Sequence, residues 1–126
     1  MFPVLQKICQ QAKQYNLGLN IDAEEADRLA LSLELFGMLA HDASLKDWQG
    51  LGLAVQAYQK GASNVIDFLA QLSLDTDHRF MVRLVKGAYW DTEIKLSQQE
   101  GLVGYPVFTR KAHTDISYIA CAQKLL

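Results

Sequence analysis

The sequence has 126 residues, enough for one domain with a real core, and half of them are hydrophobic. A net charge of −2 and a pI near 5.8 exclude the basic footprint of a nucleic-acid-binding protein, so we expect no nucleic-acid contact through this segment. Cys9 and Cys121 match no metal or redox spacing and favour a reducing, cytoplasmic compartment. No uncharged apolar run has the length of a membrane span.

The N-terminal third of the chain predicts a helix, a strand and a second helix. Residues 3–15 place their apolar side chains on one helical face, and NLGLNI at 16–21 reads as a strand. Asp22 follows that strand, and Glu25 three residues later completes a capping pattern for a helix over 23–41. On spacing alone, Asp22 is equally well explained as nothing more than that cap.

The next unit echoes the first one. A polar loop leads to LGLAVQAY at 51–58, and its first seven residues align without a gap with LGLNIDA at 17–23. The alignment makes Asp22 and Gln56 equivalent, each at the point where a strand gives way to a helix. Taken alone, Gln56 is better explained as a satisfied polar residue at a strand end. Apolar residues at helical spacing over 65–72 predict the helix that follows.

The last part of the chain predicts a third strand and two more helices. DTDHR at 75–79 reads as a turn, FMVRLVKGA at 80–88 as a strand, and 90–100 as a helix that ends at Gly101. GYPVF at 104–108 predicts a short extended piece, and a final helix runs from 109 to 126. This alternation predicts an α/β fold with three parallel βα units and flanking helices. Three strands cannot close an eight-stranded barrel, so we interpret residues 1–126 as a fragment of a larger domain.

Four polar residues fall at or near the predicted carboxyl ends of the strands, where parallel α/β proteins place their functional side chains: Asp22, Gln56, Arg83 and Lys86. Arg83 and Lys86 interrupt an apolar strand, where an unpaired buried cation is costly. Gly87 allows close backbone approach, and the following helix start offers free amides, so this stretch predicts a phosphate-like anion site. The alternative is that both cations reach solvent from a frayed strand end.

Two further groups of candidates flank this stretch. Tyr89 and Trp90 either wall a pocket or pack onto a neighbouring helix. FTRKAHTD at 108–115 places two cations at a helix start, where they oppose the helix dipole unless an anion lies between them. The candidates in this second basic stretch are Thr109, Arg110, Lys111 and Thr114.

Four longer stretches, GLNIDAEEADRL, VQAYQK, RLVKGAYWD and GYPVFTRK, occur in the order and at the separations of a known family. Over about residues 5–126, the chain resembles the proline dehydrogenase domain of the bifunctional proline-utilisation protein of bacteria. The resemblance implies part of a distorted, TIM-type (βα)8 barrel that binds FAD and oxidises L-proline to Δ1-pyrroline-5-carboxylate. It also implies a cytoplasmic parent protein that associates peripherally with a membrane to pass electrons to a quinone.

The resemblance assigns a role to each candidate. Arg83 would lie beside the flavin ring near the nitrogen that accepts hydride, and Asp22 would be an active-site acid that positions a basic partner. Gln56 would donate to the flavin ring edge, and Asp22, Leu84 and Tyr89 would border the proline pocket. The remaining residues would follow the cofactor toward its ribityl, phosphate and adenosine parts, and they are Lys86, Gly87, Ala88, Trp90, Thr109, Arg110, Lys111 and Thr114.

The resemblance is incomplete in extent. The arginine pair and the lysine with which the family holds the proline carboxylate fall outside this sequence, as does a histidine-containing stretch that serves the flavin. We therefore expect little or no activity from the chain alone. Two other interpretations stay open. One is a complete small anion- or nucleotide-binding α/β domain, and the other is a homo-oligomer formed through open sheet edges.

Overall fold

The computed structural model describes residues 2–23, 26–87, 90–99, 101 and 104–126. Within these residues, helices and strands alternate as the sequence predicts. Two short 3-10 helices, Ala26–Arg28 and Ala43–Leu45, accompany them. The main elements are α1 (Phe2–Gln14), β1 (Leu19–Ile21), α2 (Leu29–Ala40), β2 (Leu51–Gln56), α3 (Ala62–Thr76), β3 (Met81–Val85), α4 (Trp90–Gln99) and α5 (Lys111–Leu125).

The three strands form one parallel sheet in the order β1-β2-β3. The strand order follows the chain, so among these three strands the order does not reverse as it would at the switch point of a doubly wound fold. Right-handed crossovers of this kind place successive helices on one face, as in a barrel. The predicted fold class, α/β with three parallel βα units and flanking helices, is confirmed.

The two faces of the sheet differ because side chains alternate along each strand. Leu51, Leu53 and Val55 of β2 point to one face, where they join the buried core formed with the helices. The opposite face of β2 carries Gly52, Ala54 and Gln56, all of them buried. A leucine-rich face therefore anchors the sheet, and the second face offers small and polar groups.

The predicted helix over 23–41 is wrong at its start. Residues 26–28 form a 3-10 helix, and α2 begins only at Leu29. The backbone N–H of Ala26 donates to the Glu93 carboxylate on α4 at 2.5 Å, so this segment is held by a tertiary contact. Asp22 accepts from the N–H of the adjacent Ala23 at 3.0 Å and does not cap an α-helix.

The alignment of the internal repeat in the sequence does not coincide with the register of the two strands in the sheet. The sequence alignment pairs Leu17 with Leu51, whereas in the sheet Leu19 is the partner of Leu51. A shift of two residues preserves the alternation of side chains. Asp22 and Gln56 therefore lie on the same face of the sheet, but Gln56 lies two residues closer to the carboxyl end.

Candidate functional site

Side chains of β1 and β3 reach one another across β2. The Asn20 side-chain amide donates to the carbonyl oxygen of Met81 at 3.2 Å, and in the sheet register Gly52 lies between these two residues. A Cβ at position 52 would lie 2.3 Å from that carbonyl oxygen and 2.6 Å from the Asn20 amide nitrogen. The absence of a side chain on β2 therefore permits the contact between its neighbours.

The same arrangement recurs two residues closer to the carboxyl ends of the strands. Arg83 donates from Nη2 to Oδ1 of Asp22, and the side chains are 56% and 76% exposed respectively. Arg83 pairs in register with Ala54, and extending the β1 register by one residue places Asp22 beside Ala54 as well. The cation that interrupts the third strand is thus paired with the acid that follows the first.

The segment after β1 also contacts the helix after β3. Glu93 lies in the first turn of α4, is only 2% exposed, and accepts from the Ala26 N–H. Gln56 is buried at the end of β2 and lines, together with Asp22 and Gln59, a small cavity of about 20 Å³. The structure therefore brings Asp22, Arg83 and Gln56 together at the carboxyl end of the sheet.

Lys86 belongs to a second cluster with a different partner. Its Nζ lies 2.8 Å from Oδ1 of Asp115, while Nζ of Lys111 lies 3.2 Å from Oδ2 of the same carboxylate. The hydrogen bond from Lys86, followed by that from Lys111, lowers the pKa of Asp115 below its usual range. Asp115 is thus an ionised group between two cations that come from different elements.

A cleft of about 360 Å³ opens beside this cluster. Gly87 lies in it with φ +148°, and a Cβ there would be 2.4 Å from the ring of Tyr58. The Trp90 indole N–H donates to the carbonyl oxygen of Phe108 at 3.0 Å, which ties the start of α4 to the chain before α5. The sequence-predicted residues that line the cleft are Lys86, Gly87, Trp90, Thr109, Lys111 and Thr114.

Other predicted residues lie apart from these two clusters. Leu84 packs against the core on the helix side of β3, so the structure does not bring it together with Arg83. Arg110 is the exposed residue before α5 and is not among the side chains that line the cleft. Ala88 and Tyr89 lie outside the described residues.

Sequence reasoning missed three residues that shape the site. Asp115 had a signal, since it follows Lys111 by four residues on the same helix. Tyr58 could have been found from its position just after β2, at the functional end of the sheet. Glu93 carried no distinguishing pattern, because an acid in the first turn of a helix is common.

The described residues contain no group of three or more His, Cys, Asp or Glu side chains arranged to hold a metal ion. Among the same residues, no helix combines the length and apolar character that crossing a membrane requires. His78, one of the three histidines, is a packing residue that is buried against Phe80 and bonded to the Trp48 carbonyl at 2.9 Å.

Comparison with known protein sequences gives consistent matches along the whole chain. The sequence model of a family described as proline dehydrogenase matches residues 4–126. The bifunctional protein PutA of Salmonella typhimurium is 56% identical over 126 residues, which cover 100% of this chain and 10% of that protein. PutA of Escherichia coli K12 is 53% identical with the same coverage. The chain therefore spans about a tenth of the length of the curated relatives it matches.

Solved structures of PutA proteins superpose on the chain. A mutant of PutA from Bradyrhizobium japonicum is 59% identical with a TM-score of 0.97, over 98% of this chain and 13% of that one. PutA from Bdellovibrio bacteriovorus, inactivated by N-propargylglycine, is 30% identical with a TM-score of 0.87, over 98% and 14%. The sheet and its flanking helices thus have the same arrangement as part of these proteins.

Proposed function

Because the chain belongs to the proline dehydrogenase family, we propose that it forms part of an FAD-dependent enzyme that oxidises L-proline to Δ1-pyrroline-5-carboxylate. Its three parallel units have the barrel-type fold of that family. The observation that carries the proposal is the group at the strand ends, in which Asp22 pairs with Arg83 beside Gln56. Residues 1–126 would then be one part of a (βα)8 barrel.

The side chains at this edge have the chemistry that FAD requires. A flavin ring presents hydrogen-bond acceptors along its edge, and the diphosphate of FAD is negatively charged. Arg83 and Gln56 can donate at the strand ends, and Lys86 and Lys111 carry positive charge beside the cleft. The cleft volume of about 360 Å³ falls in the range of small-molecule sites.

When bound, FAD would supply the acceptor for the hydride that leaves the proline carbon next to nitrogen. Arg83 would hold a positive charge where negative charge develops on the ring, which stabilises the transition state. Asp22 would fix the orientation of that guanidinium through the ion pair, and Gln56 would donate to the ring edge. Glu93 would keep the Asp22 segment in place through its bond to the backbone of Ala26.

The diphosphate and adenosine would lie toward the second cluster in this proposal. Lys86 and Lys111 would bind phosphate oxygens, and Gly87 would let the backbone approach them closely. Trp90 offers an aromatic face at the same cleft. Thr109, Arg110 and Thr114 would contribute further donors, and the resemblance adds Ala88 to the cofactor contacts and Tyr89 to the proline pocket.

The parent protein would be cytoplasmic and would pass electrons to a membrane quinone. The resemblance implies that the groups which hold the proline carboxylate in the family fall outside these 126 residues. We therefore propose that the chain alone has little or no dehydrogenase activity. Turnover of L-proline by the purified chain with added FAD would overturn this part of the proposal.

Retention of flavin by the purified chain tests the proposed site. The chain is incubated with FAD, free cofactor is removed, and the visible absorption spectrum is recorded. We expect a retained flavin band that Arg83→Ala weakens. Arg79→Ala is the matched control, because Arg79 is an exposed arginine that lies two residues before β3, away from the carboxyl end of the strand. A colourless protein would contradict a usable site on these three strands.

A graft tests the activity itself. The 126 residues replace the matching segment of Bradyrhizobium japonicum PutA, which is 59% identical, and proline-dependent reduction of a quinone analogue is measured. We expect activity in the graft, its loss with Arg83→Ala, and its retention with Arg79→Ala. Equal activity of the two arginine variants would refute the role given to Arg83.

Self-association of the isolated chain is a second candidate property. β1 and β3 are both edge strands among those described, and open strand edges readily pair with other chains. Apolar side chains are also exposed, including Met81 on β3 and Ile116 and Ile119 on α5. We expect a dimer or larger species by light scattering, and a monomer at high concentration would refute this.

A further inference from the structure

We propose that Asp115 acts as an internal anion in the cleft, occupying Lys86 and Lys111 until a phosphate or diphosphate group of higher charge displaces it. This inference rests on the proposed function only in placing a diphosphate at the cleft. It assigns to Asp115 a role in specificity, since a ligand must carry more negative charge than one carboxylate to take both lysines.

The Asp115 carboxylate forms ion pairs with both lysines at the same time. Each carboxylate oxygen takes one ammonium group, Lys86 at 2.8 Å and Lys111 at 3.2 Å. All three side chains line the same cleft of about 360 Å³. A ligand anion in the cleft would therefore meet two cations that already share a negative charge.

Helix stability does not account for this arrangement. Lys111 is the first residue of α5 and precedes Asp115 by four positions. A cation at the N-terminus opposes the helix dipole, and the order Lys then Asp is the less favourable one for an i,i+4 pair. The placement is better explained by an anion that the lysine and the helix start are both able to bind.

The two ion pairs are weak enough for a ligand to displace. The Lys86, Lys111 and Asp115 side chains are 55%, 84% and 36% exposed. Ion pairs with this exposure contribute little net free energy, because water screens them and holding long side chains costs entropy. A diphosphate carries more charge and accepts several hydrogen bonds from the same ammonium groups, so it outcompetes the carboxylate.

Binding of inorganic pyrophosphate, measured by isothermal titration calorimetry, tests the inference. Asp115→Asn preserves the shape of the side chain and removes its charge. We expect pyrophosphate to bind the Asp115→Asn variant about five- to tenfold more tightly than it binds the parent chain, because this is the effect of removing one nearby unit charge in solvent. High salt should reduce this gain in affinity. Equal or weaker binding would overturn the proposal, because Asp115 would then only position the lysines.

Asp67→Asn is the matched control. Asp67 also pairs with a lysine, Lys124 at 2.7 Å, and neither residue lines the cleft. The substitution makes the same change in net charge, so an equal gain in both variants would overturn a local competition. Adding Lys86→Gln to Asp115→Asn should remove the gain, and its persistence would equally contradict the proposal.

The pyrophosphate and FAD experiments separate two failures. Pyrophosphate has no flavin ring, so tighter binding by Asp115→Asn together with no FAD retention by the parent chain would refute the proposed function and support this inference. FAD retention by the parent chain, together with no tighter pyrophosphate binding by Asp115→Asn, would support the proposed function and refute this inference. Thermal unfolding of each variant checks that the compared chains are folded.

Discussion

Arg83 and Asp22 form an ion pair that crosses over Ala54, so an arginine of β3 is held by the acid that follows β1. The pair exists because the strand between them carries only a methyl group at that level. Gly52 plays the same part for the contact between Asn20 and Met81. Small residues on β2 thus decide which side chains meet above the sheet.

The first prediction concerns Ala54. Replacing this buried alanine by leucine would fill the gap beneath the ion pair and force Arg83 and Asp22 apart. We expect Ala54→Leu to lower the free energy of unfolding by about 1 to 3 kcal/mol, the usual cost of overpacking, and to reduce flavin retention. Urea unfolding and the visible spectrum measure the two effects.

Ala54→Ser is the control for that substitution, because serine is nearly as small as alanine. It should retain flavin like the parent chain. If Ala54→Leu had the same free energy of unfolding and the same flavin retention as Ala54→Ser, the ion pair would not fill the space over β2.

The second prediction concerns Gly87. Its φ of +148° is a conformation that side chains disfavour, and a Cβ would lie 2.4 Å from the Tyr58 ring. We expect Gly87→Ala to cost about 1 to 3 kcal/mol of unfolding free energy, because the backbone strain and the clash act together. Gly104→Ala, where no atom of the described residues lies within 4 Å of the added Cβ, should change the free energy of unfolding little. Equal costs in chemical unfolding would contradict the assigned geometry.

Much of the fold is predictable from local sequence. The sequence indicates α1, α4 and α5 to within about two residues of their ends, and the apolar spacing over 65–72 lies inside α3. The helix predicted over 23–41 is wrong at its start, where the Ala26 N–H bonds to Glu93, 67 positions away. No local pattern reveals a tertiary bond of this kind.

The candidate site is also predictable only in part from the sequence. Position at a strand end singles out Asp22, Gln56 and Arg83, and the structure brings these three together. The strand pattern could not identify the partner of Lys86, because Asp115 reads as an ordinary charge on a helix surface. Pairing between elements depends on packing, which only the folded chain shows.

The third prediction concerns Glu93. Glu93→Ala would remove a buried carboxylate, leave the half-buried Ala26 N–H without its acceptor and release the segment that carries Asp22. A lost partner of this kind costs about 1 to 3 kcal/mol, so we expect urea unfolding to report a loss of that size. Glu93→Gln retains a side-chain oxygen that can accept the same bond and should lose less. A glutamine variant as unstable as the alanine variant would argue against this bond.

The last prediction is a pH dependence that arises at Asp42. Burial raises the pKa of this carboxyl, but hydrogen bonds from Ser44 and from Gln6 outweigh it, and the pKa lies below its ordinary value of 3.8. The Gln6 amide donates at 2.5 Å and the Ser44 N–H at 2.9 Å, which joins α1 to the chain after α2. The folded state therefore binds the proton less readily than the unfolded state.

The sign of the effect follows from that difference. Stability from a lowered pKa is fully present above the unfolded value and is lost as the pH falls through the folded value. Asp42→Asn cannot ionise, although its amide oxygen can still accept from Ser44. We expect the stability advantage of the parent chain over Asp42→Asn to be constant above about pH 5 and to shrink below about pH 4. Urea unfolding between these conditions measures it, and an advantage that grew in acid would mean that folding raises this pKa.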